Sequence, residues 1–323
     1  MNLAFDRTAH DAPAAGDDAR GDLAREIAAG LAAPGAFISP KFFYDTLGSR
    51  LFEAITALPE YYPTRIEKGL LSRHGAAIAK AAGAGVTLID LGAGNCEKAT
   101  ILLAELSPAQ YVAVDISVEF LQGALTALRR DFPDVSILGV GTDISSELVL
   151  PPAVCEDRRL FAYLGSSIGN FTPDDASSLL TRIRQQLRRG GGLLIGVDLV
   201  KPERVLHEAY NDALGVTAAF NLNILRHVNT LIGSDFEVRD WRHCAFFNAA
   251  HSRIEMHLEA TRELRVRWPE GTREFAQGQR IHTENSYKYR PQDFRAMLER
   301  AGFSRVEAWM DDRQWFALYH AAA

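Results

Sequence analysis

Val86-Thr-Leu-Ile-Asp-Leu-Gly-Ala-Gly-Asn-Cys-Glu-Lys98, followed by Tyr111-Val-Ala-Val-Asp115, decides the fold of this 323-residue chain. Residues 86–91 form a short apolar run of the kind a buried strand shows, and Gly92-Ala-Gly94 breaks it with a tight turn. Residues 97–106 then read as a helix and 111–116 as a second strand closing on a carboxylate. A glycine turn lets a ligand approach bare backbone, and a carboxylate after the next strand stands where a ribose presents its hydroxyls. The stretch therefore predicts a site for an adenosine-containing cofactor.

The alternation continues outward from it. Strand-like runs at 135–140, 160–164 and 192–199 are separated by helical stretches at 117–131 and 173–188. Short apolar strands alternating with helices imply a parallel sheet covered on both faces. The rhythm changes at 201–232, which reads as helices, and at 234–283, which is β-rich, with alternating segments such as Ser252-Arg-Ile-Glu-Met-His-Leu-Glu-Ala. That region predicts a second, largely antiparallel lobe. From Tyr289 the first pattern resumes, with a helix over 291–301, Gly302 at its end, and strands near 306–310 and 315–320. The expected fold class is α/β: a doubly wound sheet with an α+β lobe inserted before its last helix and strands.

Residues 1–20 are rich in Ala, Asp and Gly and are expected to be loose until a helix begins near Asp22. The segment 39–65 crowds aromatic residues around proline and glycine breaks, and it suits either a packing lid or a wall of the active site. A hydrophobic content of 47% with 24% charged residues is ample for a sizeable core, and a formal net charge of −6 argues against a nucleic-acid binder. The three cysteines, Cys96, Cys155 and Cys244, show no CxxC spacing, which gives no metal or disulfide framework and suits a reducing cytoplasm. There is no signal-peptide pattern at the start and no run of about 18 apolar residues, so neither export nor a membrane span is expected.

Two further features choose the nucleotide. Glu97 stands where a dinucleotide fingerprint has its third glycine, and Gly141-Thr-Asp143-Ile144 follows the third strand. A carboxylate there can accept from an adenine amino group while Ile144 packs on the ring; Asp143 could equally be a helix N-cap. With Gly92, Gly94 and Asp115, these residues resemble the class I S-adenosylmethionine-dependent methyltransferases over roughly 86–200 and 289–323. The resemblance implies a seven-stranded sheet with its last strand antiparallel, and Lys98 near the methionine carboxylate.

Five more motifs occur in order: Leu58-Pro-Glu-Tyr-Tyr-Pro-Thr-Arg65, Leu164-Gly-Ser-Ser-Ile-Gly-Asn-Phe171, Tyr210-Asn-Asp-Ala-Leu-Gly-Val-Thr-Ala-Ala-Phe-Asn-Leu-Asn223, Ile254-Glu-Met256 and Thr283-Glu-Asn-Ser-Tyr-Lys-Tyr289. From about residue 22 onward the chain resembles the histidine-specific methyltransferase family, the L-histidine Nα-methyltransferases of ergothioneine biosynthesis. The resemblance implies that Asn170 and Tyr210 hold the amino-acid carboxylate, with Gly165 in the same loop as Asn170. It implies that Tyr61 and Tyr44 line the pocket near imidazole and amine, that Glu284 and Ser286 engage the two ring nitrogens, and that Met256 packs on the ring.

Residue types support these roles. Glu284 and Ser286 are two apart and share a strand face, and a carboxylate with a hydroxyl can meet both imidazole nitrogens. The bland alternatives are core packing for each tyrosine and a surface ion pair of Glu284 with Lys288. Asn285 is expected to face away.

On this reading residues 22–65, 86–200 and 287–323 form the methyltransferase domain, 66–85 with 201–286 a substrate-binding insertion, and 1–21 an N-terminal extension. The implied chemistry is trimethylation of the α-amino group of L-histidine by a monomeric cytoplasmic enzyme without a metal. Tyr44 is the nearest candidate to organise a water that removes the amine proton. Methylation of another free amino acid such as tryptophan is an alternative that Glu284 disfavours, because an indole edge compensates a buried carboxylate poorly. A nicotinamide-dependent oxidoreductase is disfavoured by Glu97.

Overall fold

The run at 87–91 is a fully buried strand inside an eight-stranded sheet. The computed structural model describes residues 3–5, 17–145, 148–188 and 190–323. Within these, β1 (Leu3–Phe5) and α1 (Asp17–Ala32) come first, then a 3₁₀ turn (Pro40–Phe43), α2 (Thr46–Thr56) and α3 (Tyr62–Ala82). Alternation follows with β2 (Thr87–Leu91), α4 (Glu97–Leu106), β3 (Gln110–Asp115), α5 (Val118–Asp131) and β4 (Ser136–Gly141). Next come β5 (Arg159–Tyr163), a 3₁₀ turn (Ser167–Asn170), α6 (Pro173–Gln185) and β6 (Gly192–Asp198). Helices α7 (Glu203–Tyr210) and α8 (Val216–Ile232) lead to β7 (Trp241–Asn248), β8 (Arg253–Ala260), β9 (Leu264–Trp268), β10 (Gly271–Phe275) and β11 (Arg280–Tyr287). The chain closes with α9 (Pro291–Arg300), β12 (Ser304–Met310) and β13 (Phe316–Ala322).

The chain divides into two compact units. The first holds β1, Tyr62–Lys201 and Tyr287–Ala323. Its sheet order is β1-β4-β3-β2-β5-β6-β13-β12, with β4, β3, β2, β5 and β6 parallel and β13 antiparallel to both β6 and β12. The seven strands implied by the methyltransferase resemblance are present, and β1 adds an eighth, antiparallel to β4. Both faces are covered, which is why the strands read as nearly continuous apolar runs. Leu88 and Ala113 pack with Leu70, Leu71 and Ile78 of α3, Leu102 of α4 and Leu125 of α5. Ile89, Leu91 and Val112 face the other way, toward Leu179, Leu180 and Ile183 of α6 and Phe294 of α9. Strand order reverses between β2 and β5, and a doubly wound sheet binds its ligands outside the strand carboxyl ends at such a point.

The second unit holds α1 to Tyr61 and Pro202–Ser286. Its three-stranded sheet runs β11-β8-β7, with β9 and β10 as a separate antiparallel hairpin. Helix α8 packs against α1, α2, β7 and β8. Asn221 of α8 is fully buried and satisfied on both sides: its amide donates to His257 O (2.9 Å) and accepts from Thr283 Oγ1 (2.8 Å). Asp45 caps α2 by accepting from Gly48 N (2.6 Å) and also accepts from Asn223 Nδ2 (2.8 Å).

This division corrects the expected domain boundaries. Residues 17–61 belong with the 202–286 segment, because Phe43 stacks on Phe220 (4.5 Å) and α1 and α2 pack on α8. Helix α3 belongs with the parallel sheet, because its apolar face completes the cluster around Leu88. Helix α1 begins at Asp17 rather than near Asp22. The expectation of a loose start otherwise falls on residues 1–2 and 6–16, outside the described ones. No helix of the described residues is long and apolar enough to cross a membrane.

Candidate active site

Gly92 and Gly94 have φ values of +70° and +54°, which explains glycine at both positions. The backbone N–H groups of Gly92 and Ala93 donate to Val114 O (2.8 and 3.1 Å), lashing the turn to β3. Asp115 fixes its other side: Oδ2 accepts from Gly94 N and Oδ1 from Ser117 N, each at 2.8 Å. Burial pushes the Asp115 carboxyl up, and these backbone donors oppose the shift. Each oxygen retains acceptor capacity for a hydroxyl. Helix α4 starts at Glu97 directly after the turn, and Glu97 N donates to Asn95 Oδ1 (3.1 Å).

Asp143 follows β4 in an Asx turn, accepting from Ser145 N (2.9 Å) and Ser145 Oγ (2.5 Å). No helix starts at the described residues around it, so the N-cap alternative is replaced by this local turn. Ile144 is half-buried against the core.

Beneath the turn lie acidic groups that the sequence reading missed. Asp90 on β2 accepts from the Tyr111 hydroxyl (3.0 Å), and burial pushes its carboxyl up to about 7 against the pull of Lys98. Burial likewise raises the Cys96 thiol to about 12, which makes it an inert core group. Glu67 on α3 is fully buried. Its carboxylate accepts from Gly165 N at 2.8 and 2.9 Å and from Lys98 Nζ at 2.7 Å. Gly196 on β6 makes room for it, since a Cβ there would stand 1.9 Å from Glu67 Oε1. The available signal was an acid on the same helical stripe as Leu70, Leu71 and Ile78.

Gly165 opens the loop after β5, and Asn170 ends the 3₁₀ turn that follows, half-buried. At the end of β6, Asp198 gathers Tyr62 Oη (2.7 Å), Lys288 Nζ (2.7 Å) and Lys201 Nζ. Burial would raise the Asp198 carboxyl, but the two ammonium groups outweigh it and hold it below the ordinary range. Lys288 is therefore a buried partner of Asp198, which replaces the surface-pair alternative with Glu284. A strand of six apolar or glycine residues ending in Asp198 was the missed signal.

The second unit brings several expected residues together. Half-buried Tyr44 meets Phe52 edge-on (5.8 Å), Phe52 meets Tyr61 (6.2 Å), and Tyr61 meets Tyr210 (6.4 Å). The Tyr210 hydroxyl is hydrogen-bonded to Ser286 Oγ at 2.7 Å. Met256, Glu284 and Ser286 are buried, and Thr283 Oγ1 lies 3.1 Å from Met256 O, setting β11 beside β8 at that point. Asn285 is half-buried, with Oδ1 3.0 Å from His282 Nε2. Phe52 and Phe220, which complete the aromatic row, went unnoticed in the sequence because nothing distinguishes them from core phenylalanines.

Residues 23–323 match the family described as histidine-specific methyltransferase, SAM-dependent. The chain belongs to this family. It is 42% identical over 315 residues to a histidine N-alpha-methyltransferase of Mycobacterium tuberculosis, covering 95% of this chain and 97% of the relative. It is 40% identical over 310 residues to the protein of the same name from Mycolicibacterium smegmatis, covering 94% and 96%. Ergothioneine biosynthesis protein 1 of Neurospora crassa is 34% identical over 276 residues, covering 82% of this chain and 31% of that protein.

The chain is thus an S-adenosylmethionine-dependent methyltransferase, and its first unit fits the donor chemically. A Cβ at Gly92 or Gly94 would meet no atom within 4 Å, so open space faces the turn. Carboxylates able to accept from hydroxyl or amino groups stand at the end of β3, Asp115, and just beyond β4, Asp143.

Proposed function

We propose that this enzyme methylates the α-amino nitrogen of L-histidine three times in succession, giving the Nα-trimethyl betaine hercynine in ergothioneine biosynthesis. The observation that carries this reading is a histidine-specific family match spanning 23–323. Gly92 and Gly94 offer backbone to the donor, Lys98 neutralises its carboxylate, Asp115 takes the ribose, and Asp143 with Ile144 takes the adenine. Asn170 and Tyr210 hold the histidine carboxylate, with Gly165 shaping the loop. Glu284 and Ser286 hold the imidazole, Met256 packs on it, and Tyr61 and Tyr44 border the ring and amine.

When bound, S-adenosylmethionine supplies an already activated sulfonium methyl. The chain's residues have to orient the amine and exclude bulk water, and positioning of this kind supplies about 7–11 kcal/mol. The amine attacks only when neutral, so its proton must leave first; the Tyr44 hydroxyl orders the water that receives it. The imidazole stays gripped by Glu284 and Ser286 while successive methyl groups accumulate on nitrogen.

Incubation with S-adenosylmethionine and a pool of free amino acids, read by mass spectrometry, tests the reading. Trimethylated histidine as the sole product is expected. Methyl gain on tryptophan instead, or on no amino acid, overturns it.

A further inference from the structure

We propose that Glu67 is a positioning residue that holds Lys98 and the Gly165 amide in place for binding. The inference rests on the reading of Lys98 as a donor-binding group and of Gly165–Asn170 as a substrate loop. Three chain segments meet at this one carboxylate: α3, which carries it, the first turn of α4, which carries Lys98, and the loop after β5.

The geometry leaves Glu67 little freedom. Its side chain has no solvent exposure, whereas that of Lys98 is 25% exposed. A buried carboxylate faces a partly exposed ammonium, so the charge on Glu67 is compensated from one side while the other face of Lys98 remains able to meet an anion. Both carboxylate oxygens are also engaged by Gly165 N. Lys98 lies close over the loop as well, since a Cβ at Gly165 would be 3.1 Å from its Nζ. A lysine has a flexible stem and a strongly hydrated head, and it binds in one place only when something fixes that head. Glu67 does so here.

Glu67→Gln separates the two tasks. A glutamine carbonyl can still accept from Gly165 N, but its amide turns a donor, not an anion, toward Lys98. Binding of S-adenosylhomocysteine by titration calorimetry, with thermal melts alongside, is measured for Glu67→Gln, Lys98→Gln and the double variant. Hydrogen bonds to charged groups predict roughly a tenfold or greater rise in Kd for each single variant. If Glu67 works through Lys98, the double variant binds within about twofold of Lys98→Gln alone. The KM for histidine stays within about twofold in Glu67→Gln, by the same measure of independence, and rises in Glu67→Met, which offers Gly165 no oxygen.

Equal binding by Lys98→Gln and the parent overturns the reading of Lys98 and this proposal with it. A Glu67→Gln loss that multiplies onto Lys98→Gln overturns the proposal alone and leaves Lys98 in its role. A purely structural Glu67 lowers the melting temperature without this non-additivity, and that outcome also overturns it.

Discussion

Lys288 Nζ lies 2.7 Å from Asp198 Oδ2, with both side chains closed to solvent. The same carboxylate takes Lys201 Nζ and the Tyr62 hydroxyl, so Asp198 faces two buried cations. Such clusters are weak evidence of net stabilisation, but removing their centre strands the remaining charges. Asp198→Ala is expected to cost about 3–5 kcal/mol in urea unfolding. Lys288→Met should cost less, because Asp198 keeps Lys201 and Tyr62. An unchanged midpoint for Asp198→Ala would show that the cluster contributes nothing.

The hydrogen bond between Tyr210 Oη and Ser286 Oγ (2.7 Å) joins α7 to β11 within the second unit. Tyr210→Phe retains the ring packing on Tyr61 (6.4 Å) and removes only the hydroxyl. A net hydrogen bond is worth about 1 kcal/mol, or roughly fivefold in an equilibrium constant. Because both residues are proposed to face histidine, the KM for histidine should rise by at least that factor while S-adenosylhomocysteine affinity is unchanged. A histidine KM equal to the parent's would remove Tyr210 from the substrate site.

The sheet was legible because β2, β3 and β6 are covered on both faces and therefore mostly apolar, while Gly92-Ala-Gly94 marks the turn. Asp115 was legible because its interval from the turn is fixed by one helix and one strand. Glu67 and Asp198 were not, because a buried charge is stabilised by partners remote in sequence: Gly165 is 98 residues from Glu67, and Tyr62 is 136 from Asp198. The domain boundary failed for a related reason. The aromatic segment 39–65 looks the same whether it packs on the parallel sheet or on α8, and contacts distant in sequence decide the matter, the Phe43–Phe220 stacking and the packing of α2 on α8.

His257 lends the second unit a pH dependence. Burial pushes its pKa down from 6.5 to about 4, with His282, Arg280 and Arg253 adding to the shift and Glu255, 3.6 Å away, opposing it. The folded state thus binds the proton less readily than the unfolded chain. Stability from this group is full above the unfolded pKa and is lost as pH falls from 6.5 toward about 4. Discounted for partial exposure, the loss from neutrality to about pH 5 is about 1–2 kcal/mol. His257→Gln should flatten that part of the urea-midpoint profile. His282 and His243 are also shifted down by burial, so some slope remains. An identical profile for the variant would mean that His257 titrates normally.

Tyr44 offers the sharpest test of proton removal. Its ring is held edge-on by Phe52 (5.8 Å) and Phe220 (5.9 Å), contacts that a phenylalanine reproduces. Tyr44→Phe therefore removes a hydroxyl and keeps the ring of the aromatic row. If that hydroxyl orders the water that takes the amine proton, kcat should fall by about a hundredfold, the lower range for positioned acid–base groups. Histidine KM and S-adenosylhomocysteine affinity should hold, because neither the carboxylate nor the imidazole contacts are altered. The deficit should shrink as pH rises, since more of the bound amine is then neutral without assistance. Single-turnover rates across pH measure this directly. Parent rates at every pH would exclude Tyr44 from the proton path and leave it as a wall of the pocket.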